Sequence, residues 1–211
     1  MRFASREEAG TRLAEHLKEQ EIQADLVLGL PRGGIVVAAP VARKLNVPLA
    51  AWAVRKIGHP LNPEFAVGAL AEPDVLWLEE RFVRADPGLH RGLVERVRLE
   101  QVTLQEMAHR LHLHGPPELR HRRVLIVDDG LATGATAYAA VLAARKLDAE
   151  HVMVAAPVGS TEAVHRLRQG ADEVHILWPD PDFIAVGHYY DAFDPPDESE
   201  ILRLLKEQGE A

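Results

Sequence analysis

Apolar residues along the chain fall into two patterns, short unbroken runs and longer segments of helical period. The short runs are rich in β-branched residues, which is typical of strands buried on both faces of a parallel sheet. They occupy residues 25–30, 48–54, 124–127, 151–157 and 173–177. Because helical patterns lie between them, the sequence predicts an α/β fold with a doubly wound parallel sheet of about five strands.

Local signals predict where the first helices begin and how they run. Ser5 and Glu8 have the spacing of a capping box, and apolar residues at helical period follow them. This pattern predicts a helix over about 6–19. Pro40 lies inside the next apolar segment, 35–45, and we expect a kink or a break there because proline cannot donate the helical hydrogen bond.

A long amphipathic helix is predicted to start at Asp86 and Pro87, an N-cap and first-turn pair, and to end near residue 112. Its polar face is either simply solvated or a dimer surface, and we expect a homodimer. Histidines cluster in and after this helix, at positions 109, 112, 114 and 121. Only the first two share a helix face, with no acidic ligand evident beside them, so a zinc site is not favoured.

An insertion precedes the long helix. Residues 58–65 are rich in glycine, proline and asparagine and predict a loop, while 66–71 and 75–78 predict a β-ribbon. A long insertion at the active edge of a sheet is often a lid. His59 and Glu64 are candidate catalytic or metal-binding side chains, with mere solvent exposure as the alternative.

Composition limits the possible classes of protein. The chain has 211 residues, 47% of them hydrophobic, a formal charge of −8 and no cysteine. We expect one domain over 1–211, with the insertion at about 57–115 and a small C-terminal hood at about 178–211. The acidic balance speaks against binding to nucleic acid or to an anionic membrane. The lack of cysteine excludes disulfides and thiolate chemistry, no apolar run reaches membrane length, and we expect a cytoplasmic protein.

The stretch after the third apolar run carries the clearest chemistry. Asp128 and Asp129 follow the strand directly, and a loop of glycine and threonine then leads into a helix. Backbone N–H groups and hydroxyls at a helix start make a site for a phosphate dianion. Two adjacent carboxylates need hydroxyl donors or a divalent cation beside them, and a sugar diol with Mg²⁺ supplies both. The sequence therefore predicts a site for ribose 5-phosphate, and the lack of a lysine after Gly134 excludes a Walker-type loop.

This segment resembles the signature of the type I phosphoribosyltransferases, which bind phosphoribosyl pyrophosphate (PRPP). The resemblance implies that Asp128 and Asp129 hold the ribose hydroxyls, directly or through Mg²⁺, and act in catalysis. It also implies that the loop holds the 5-phosphate through its five residues Ala132, Thr133, Gly134, Ala135 and Thr136. An ordinary βα unit with a polar turn is the plainer interpretation.

The same resemblance also suggests roles for two further sets of residues. Arg32, Gly33 and Gly34 follow the first strand, and they resemble the pyrophosphate loop of the family, where a cis non-proline peptide presents N–H groups. Arg55 and Lys56 follow the predicted strand 48–54, which would bring both cations to the same carboxyl edge of the sheet as the acids. There they either neutralise pyrophosphate, as basic residues of this region do in the family, or form an exposed pair.

Aromatic residues concentrate near the C-terminus, in residues 178–183 and 186–193. They either stack on a nucleobase, as the family's variable hood does, or close a small core. Asp197 begins a predicted final helix. The resemblance as a whole implies Mg²⁺-dependent transfer of the phosphoribosyl group from PRPP to a nitrogenous acceptor, with release of pyrophosphate. A non-catalytic PRPP-binding regulator and a phosphoribosyl hydrolase remain the alternatives, and the acceptor is not readable from the sequence.

Overall fold

Strands and helices alternate through most of the chain in the computed structural model. It describes residues 2–80, 89–113 and 115–208, apart from the side chains of residues 63–64 and 89–91. The helices are α1 Arg6–Glu19, α2 Gly33–Leu45, α3 Leu89–Leu111, α4 Ala135–Lys146, α5 Thr161–Leu167 and α6 Glu198–Gln208. The strands are β1 Leu26–Gly29, β2 Leu49–Ala51, β3 Val54–His59, β4 Asn62–Ala71, β5 Val75–Leu78, β6 Arg123–Val127, β7 His151–Ser160 and β8 Glu173–Asp180.

Five of these strands form one parallel sheet in the order β2-β1-β6-β7-β8. Successive residues of the central strands point to opposite faces, so Leu125 packs with the α1, α2 and α6 side while Ile126 packs with α4 and α5. Both faces are covered by helices, which explains why the strands are apolar throughout. The prediction of a doubly wound parallel sheet is confirmed.

A second, antiparallel sheet is formed by β3, β4 and β5. It contains the predicted ribbon, but it begins earlier than expected, because β2 ends at Ala51 and β3 starts at Val54. The expected single strand over 48–54 is therefore wrong. The main chain leaves the edge of the first sheet after Trp52. The Ala53 N–H donates to Oε1 of Glu72, the residue after β4, at 2.6 Å, so the second sheet satisfies this backbone donor. Helix α3 packs on this sheet.

Glu72 also contacts the long helix. His112 Nε2 lies 2.6 Å from Glu72 Oε2, and both side chains are about nine-tenths buried. The expectation that no acid lies beside His112 is wrong, because the turn after β4 brings in a residue 40 positions away. The predicted helix start at Asp86 and the histidine at position 114 lie outside the described residues.

Helix α1 begins and ends as the sequence predicts. The hydroxyl of the N-cap residue Ser5 accepts from Glu8 N at 3.2 Å, which is the first bond of a capping box. The Glu8 carboxylate accepts from Ala4 N at 2.5 Å, one residue before the cap. Helix α2 continues through Pro40, and the expected break is absent. A Cβ on Gly10 of α1 would lie 2.6 Å from Cγ of Pro40, which shows that the two helices cross closely at the proline.

The C-terminal segment returns to the N-terminus of the chain. A short 3₁₀ helix spans Val186–Tyr189, and a parallel bridge joins Phe3 to Tyr190. Asp197 accepts from Ser199 N at 3.2 Å at the start of α6, as the capping pattern predicts. None of the described helices is both long and apolar enough to cross a membrane.

Candidate functional site

The two acids lie at the carboxyl end of β6, the central strand of the parallel sheet. The Asp128 carboxylate accepts the N–H of Asp129 through Oδ1 at 2.8 Å. Burial raises the pKa of Asp128 well above its usual range, and the neighbouring Asp129 charge raises it further. The two carboxylates thus have different partners, although both residues are half-buried.

Asp129 is held by two other parts of the chain. Arg6 Nε donates to Asp129 Oδ2 at 2.7 Å, and both side chains are more than four-fifths buried. The hydroxyl of Tyr190 donates to the Asp129 carbonyl oxygen at 2.6 Å. Burial is the main reason that the pKa of Tyr190 is raised, and the Asp129 charge adds to it. The Tyr190 hydroxyl is therefore a fixed donor.

The loop between β6 and α4 has its carbonyl oxygens bound from the outside. Ser160 Oγ donates to Ala132 O at 2.5 Å, and Arg166 Nη1 donates to Thr133 O at 2.6 Å. Gly134 adopts the left-handed region, with φ of 70°, directly before the helix. Among the described residues, the N–H groups of Ala132, Thr133 and Gly134 have no hydrogen-bond partner. The loop therefore presents donors at a helix N-terminus, the arrangement that binds phosphate.

The loop after β1 lies against the acids. The Pro31–Arg32 peptide is cis, at a bond that the resemblance indicates. A Cβ on Gly34 would lie 2.9 Å from Cα of Asp128, and one on Gly33 would overlap Oδ2 of Asp129. Only glycine leaves room for this approach, so the structure brings together the two loops that the sequence assigns to pyrophosphate and ribose. Arg32 is exposed at their rim.

Arg55 and Lys56 are placed differently from the expectation. Both lie in β3 of the antiparallel sheet and not at the end of a strand of the parallel sheet. Arg55 Nη2 pairs with Glu100 of α3 at 2.8 Å, whereas Lys56 is exposed. The physical reason is the early end of β2, which shifts the two cations onto the ribbon.

His59 of the candidate lid contacts neighbouring residues of the same segment. His59 Nδ1 accepts from Leu61 N at 3.2 Å, and its ring lies edge-on to Phe65 with centroids 6.5 Å apart. The turn at residues 60–61 joins β3 to β4, so most of the expected loop over 58–65 is strand. The Glu64 side chain lies outside the described residues.

Most C-terminal aromatic rings pack on one another. Phe183 stacks on Tyr189 with centroids 5.2 Å apart, and Tyr190 stacks on Phe193 at the same separation. Tyr189 donates its hydroxyl to Asp180 at 2.6 Å, and burial together with this bond raises the pKa of Tyr189 to about 12. These contacts favour the core interpretation for the tyrosines.

Two residues of the site, Arg6 and Arg166, escaped sequence reasoning, and Tyr190 was considered only as part of the aromatic segment 186–193, without a link to Asp129. Arg6 and Asp129 are 123 positions apart, and Arg6 carries the ordinary pattern of a helix start. Arg166 likewise looks like one polar residue of a short helix. No local signal identifies these positions, because only the packing of α1, α5 and the C-terminal segment brings them to the loops.

Most of the chain matches one known protein family. The family model of the phosphoribosyl transferase domain matches residues 4–191. The chain belongs to the type I phosphoribosyltransferase family. Two Mycobacterium tuberculosis proteins, each named "putative phosphoribosyl transferase", are 41% identical over 209 residues, which are 96% of this chain and 46% of theirs. The chain thus spans about half the length of these curated relatives.

Solved structures show the same phosphoribosyltransferase fold. The protein TT1426 from Thermus thermophilus is 40% identical, with a TM-score of 0.82 and full coverage of both chains. A purine phosphoribosyltransferase from Pyrococcus horikoshii is 17% identical, with a TM-score of 0.51 and 90% coverage of each chain. At that identity the second similarity concerns the fold alone.

Proposed function

We propose that the protein is an enzyme that transfers the phosphoribosyl group from PRPP to a nitrogenous acceptor, with release of pyrophosphate. The proposal rests on one observation. The two glycine-containing loops that follow β1 and β6 meet the acidic pair at the carboxyl ends of these neighbouring strands. A Cβ on Gly34 would lie only 2.9 Å from Cα of Asp128. A ligand that joins a 5-phosphate, a ribose and a pyrophosphate fits three such adjoining elements.

Each element has a distinct part in this mechanism. The N–H groups of residues 132–134, at the start of α4, bind the 5-phosphate and fix one end of the substrate. The acids accept the ribose hydroxyls, which orients C1 of the sugar toward the acceptor. Gly33 and Gly34 bring backbone N–H groups to the pyrophosphate, and exposed Arg32 adds charge as the bond to C1 loosens. Positioning and charge neutralisation thus replace a protein nucleophile.

The donor set at the acids fits a magnesium ion. Asp128 and Asp129 offer carboxylate oxygens, the hard ligands that Mg²⁺ prefers, and one Asp129 oxygen is already bound by Arg6. We propose that these acids hold Mg²⁺, directly or through water, together with oxygens of the substrate. When bound, the ion would offset the charge of the pyrophosphate and of the ribose oxygens.

A nucleobase is the acceptor that we propose. Trp178 and Ile184 are large apolar side chains that are 43% and 77% exposed. Trp178 lies among the last residues of β8, which ends at Asp180, and Ile184 follows the strand, so both are near the carboxyl edge of the sheet where the acids lie. Apolar surface beside the ribose site suits the flat face of a base.

The test is an assay of pyrophosphate release with Mg²⁺, PRPP and a panel of purine, pyrimidine and other nitrogenous bases. One base is expected to give steady release of pyrophosphate and the matching nucleoside monophosphate. The Asp128→Asn, Asp129→Asn double variant should lose this activity, whereas an Asp148→Asn, Glu150→Gln control with two exposed acids should keep it. If the protein binds PRPP but releases no pyrophosphate with any acceptor or with water, it is instead a non-catalytic regulator.

We also propose that the protein is a homodimer. Helix α3 exposes three apolar side chains, Val94, Leu99 and Val102, which are 50%, 61% and 56% accessible. Such a surface is costly to leave in water, and a second copy would cover it. Mass photometry should give twice the monomer mass, and Val102→Glu should shift the protein toward monomer. A monomer at every concentration would contradict the proposal.

A further inference from the structure

The most unusual feature outside the family's loops is the ion pair between Arg6 and Asp129. It joins the first turn of α1 to the second acid across the molecule, with only 10% and 16% of the two side chains exposed. An ion pair with that burial is costly to desolvate and persists only if its remaining groups are well bonded. The other contacts of Arg6 and Asp129 therefore indicate the role of the ion pair.

Arg6 is held in place from the side opposite to Asp129. Its Nη1 donates to the Asp194 carbonyl oxygen at 2.8 Å, and its guanidinium lies 3.9 Å from the centroid of the Phe193 ring. Phe193 in turn stacks on Tyr190, whose hydroxyl donates to the main chain of Asp129. The arginine and the acid are thus fixed by the same aromatic pair.

The pair also lies where the candidate ribose and pyrophosphate elements meet. A Cβ on Gly33 would overlap Asp129 Oδ2 and would lie 2.6 Å from Arg6 Nε. Arg6 therefore lies beside both Gly33 and the carboxylate, and not on a distant surface. It binds only one of the two carboxylate oxygens, Oδ2.

We propose that Arg6 is a positioning residue that fixes Asp129 for the ribose. Arg6 binds Oδ2 and sets the rotation of the carboxylate, so that Oδ1 accepts a ribose hydroxyl. The inference rests on the proposed function, and it makes the N-terminal helix and the C-terminal aromatic segment part of the sugar site. The same contact offsets one negative charge of the acidic pair before any ligand arrives.

The test compares ligands that contain ribose with one that does not. Isothermal calorimetry with Mg²⁺ would measure ribose 5-phosphate, PRPP and inorganic pyrophosphate on the wild type and on Arg6→Gln. Loss of one charge-assisted contact predicts an affinity for ribose 5-phosphate and PRPP that falls roughly tenfold or more. Affinity for pyrophosphate should stay within about twofold, since that ligand has no hydroxyl for Asp129.

Three further variants separate positioning from a general effect on folding. Arg6→Lys keeps the charge and should restore part of the affinity for ribose 5-phosphate. Phe193→Leu removes the aromatic ring on which the Arg6 guanidinium lies and should, like Arg6→Gln, lower that affinity. Arg12→Gln, on the same helix with a 43% exposed side chain, is the matched control and should change nothing. Thermal unfolding would verify that each variant is folded.

The outcomes distinguish this inference from the proposed function. If Arg6→Gln keeps ribose affinity while Asp129→Asn loses it, Arg6 does not position the acid, but the function stands. Tighter binding by Arg6→Gln would show that the arginine competes with the substrate, which also overturns the inference. Equal losses for all three ligands would mean a structural role alone. A wild type that binds neither PRPP nor ribose 5-phosphate would overturn both proposals.

Discussion

Arg166 Nη1 donates to the carbonyl oxygen of Thr133 at 2.6 Å, which ties α5 to the middle of the candidate phosphate loop. The same guanidinium pairs with Glu79 at 2.6 Å and lies 4.9 Å from the ring centroid of Trp77. Because the carbonyl is bound from outside, the neighbouring N–H groups are directed to the other side of the loop.

Replacement of this arginine should therefore weaken binding of the 5-phosphate. Arg166→Met keeps a long unbranched side chain but removes the hydrogen bond to Thr133, the ion pair with Glu79 and the contact of the guanidinium with the Trp77 ring. Ribose 5-phosphate affinity is expected to fall about tenfold, the value of one charge-assisted hydrogen bond. Calorimetry on Arg166→Met beside Arg168→Met, an exposed neighbour, checks this. Equal affinities in the two folded variants would refute the role.

Gly33 should tolerate no side chain. A Cβ there would overlap Asp129 Oδ2 and lie 2.6 Å from Arg6 Nε, so either the loop or the ion pair has to shift. Gly33→Ala should lose most PRPP affinity while the parallel sheet remains folded. Fluorescence or calorimetric titration measures the affinity, and Gly92→Ala, at an exposed position of α3, is the control. Normal binding by Gly33→Ala would show that the close approach is not needed.

The pyrophosphate half of the substrate is expected to depend on Arg32 and Lys56, which are both exposed. The Arg32→Ala, Lys56→Ala double variant removes two cations from a protein of net charge −8. Two charge-assisted contacts of about 1.5–3 kcal/mol each correspond to a loss on the order of a hundredfold or more for PRPP. Ribose 5-phosphate has no pyrophosphate and should bind as before. An equal loss for both ligands would show that these residues support the fold or the lid.

Glu173 should give a pH-dependent contribution to stability. Its carboxylate contacts His151 Nε2 and His175 Nε2, both at 2.8 Å, and the hydrogen bond with His151 is the first cause that lowers its pKa below 4.5. A lowered folded-state pKa stabilises the protein above pH 4.5, and this contribution is lost as the pH falls through the folded-state pKa.

Glu173→Gln should accordingly be less stable than the wild type near pH 6, and the difference should shrink below about pH 4. The side chain is 39% exposed, so screening by solvent limits the effect to less than about 1 kcal/mol. Urea unfolding at the two pH values measures it, with Asp148→Asn as the control. A difference that is constant with pH would contradict the assignment.

The apolar pattern was sufficient for the sheet and for most helices. Unbroken runs such as 124–127 fix strands that are buried on both faces, because no solvated face would tolerate them. The two acids and the glycine and threonine loop could be assigned because β6, the loop and α4 are consecutive in the chain. Local sequence alone specifies such a unit.

The start of the ribbon could not be predicted in the same way. The apolar run over 48–54 continues through Trp52 and Ala53 without a break, yet these residues leave the parallel sheet. Their change of sheet depends on Glu72, which accepts the Ala53 N–H from 19 positions away. The expected placement of Arg55 and Lys56 at the end of a parallel strand was wrong for the same reason, because both residues lie in β3 of the antiparallel sheet.

The sequence by itself determined the α/β class. It also determined where the acidic pair, the candidate phosphate loop and the glycines of the second loop lie in the chain, since each depends on neighbouring residues and on backbone geometry. Only the tertiary structure decided which distant groups surround Asp129. Arg6, Tyr190 and Phe193 reach it because α1 and the C-terminal segment meet over the sheet edge. Hydrophobic periodicity orients a helix toward a core, but it does not determine which polar residue at the helix start will meet a given carboxylate.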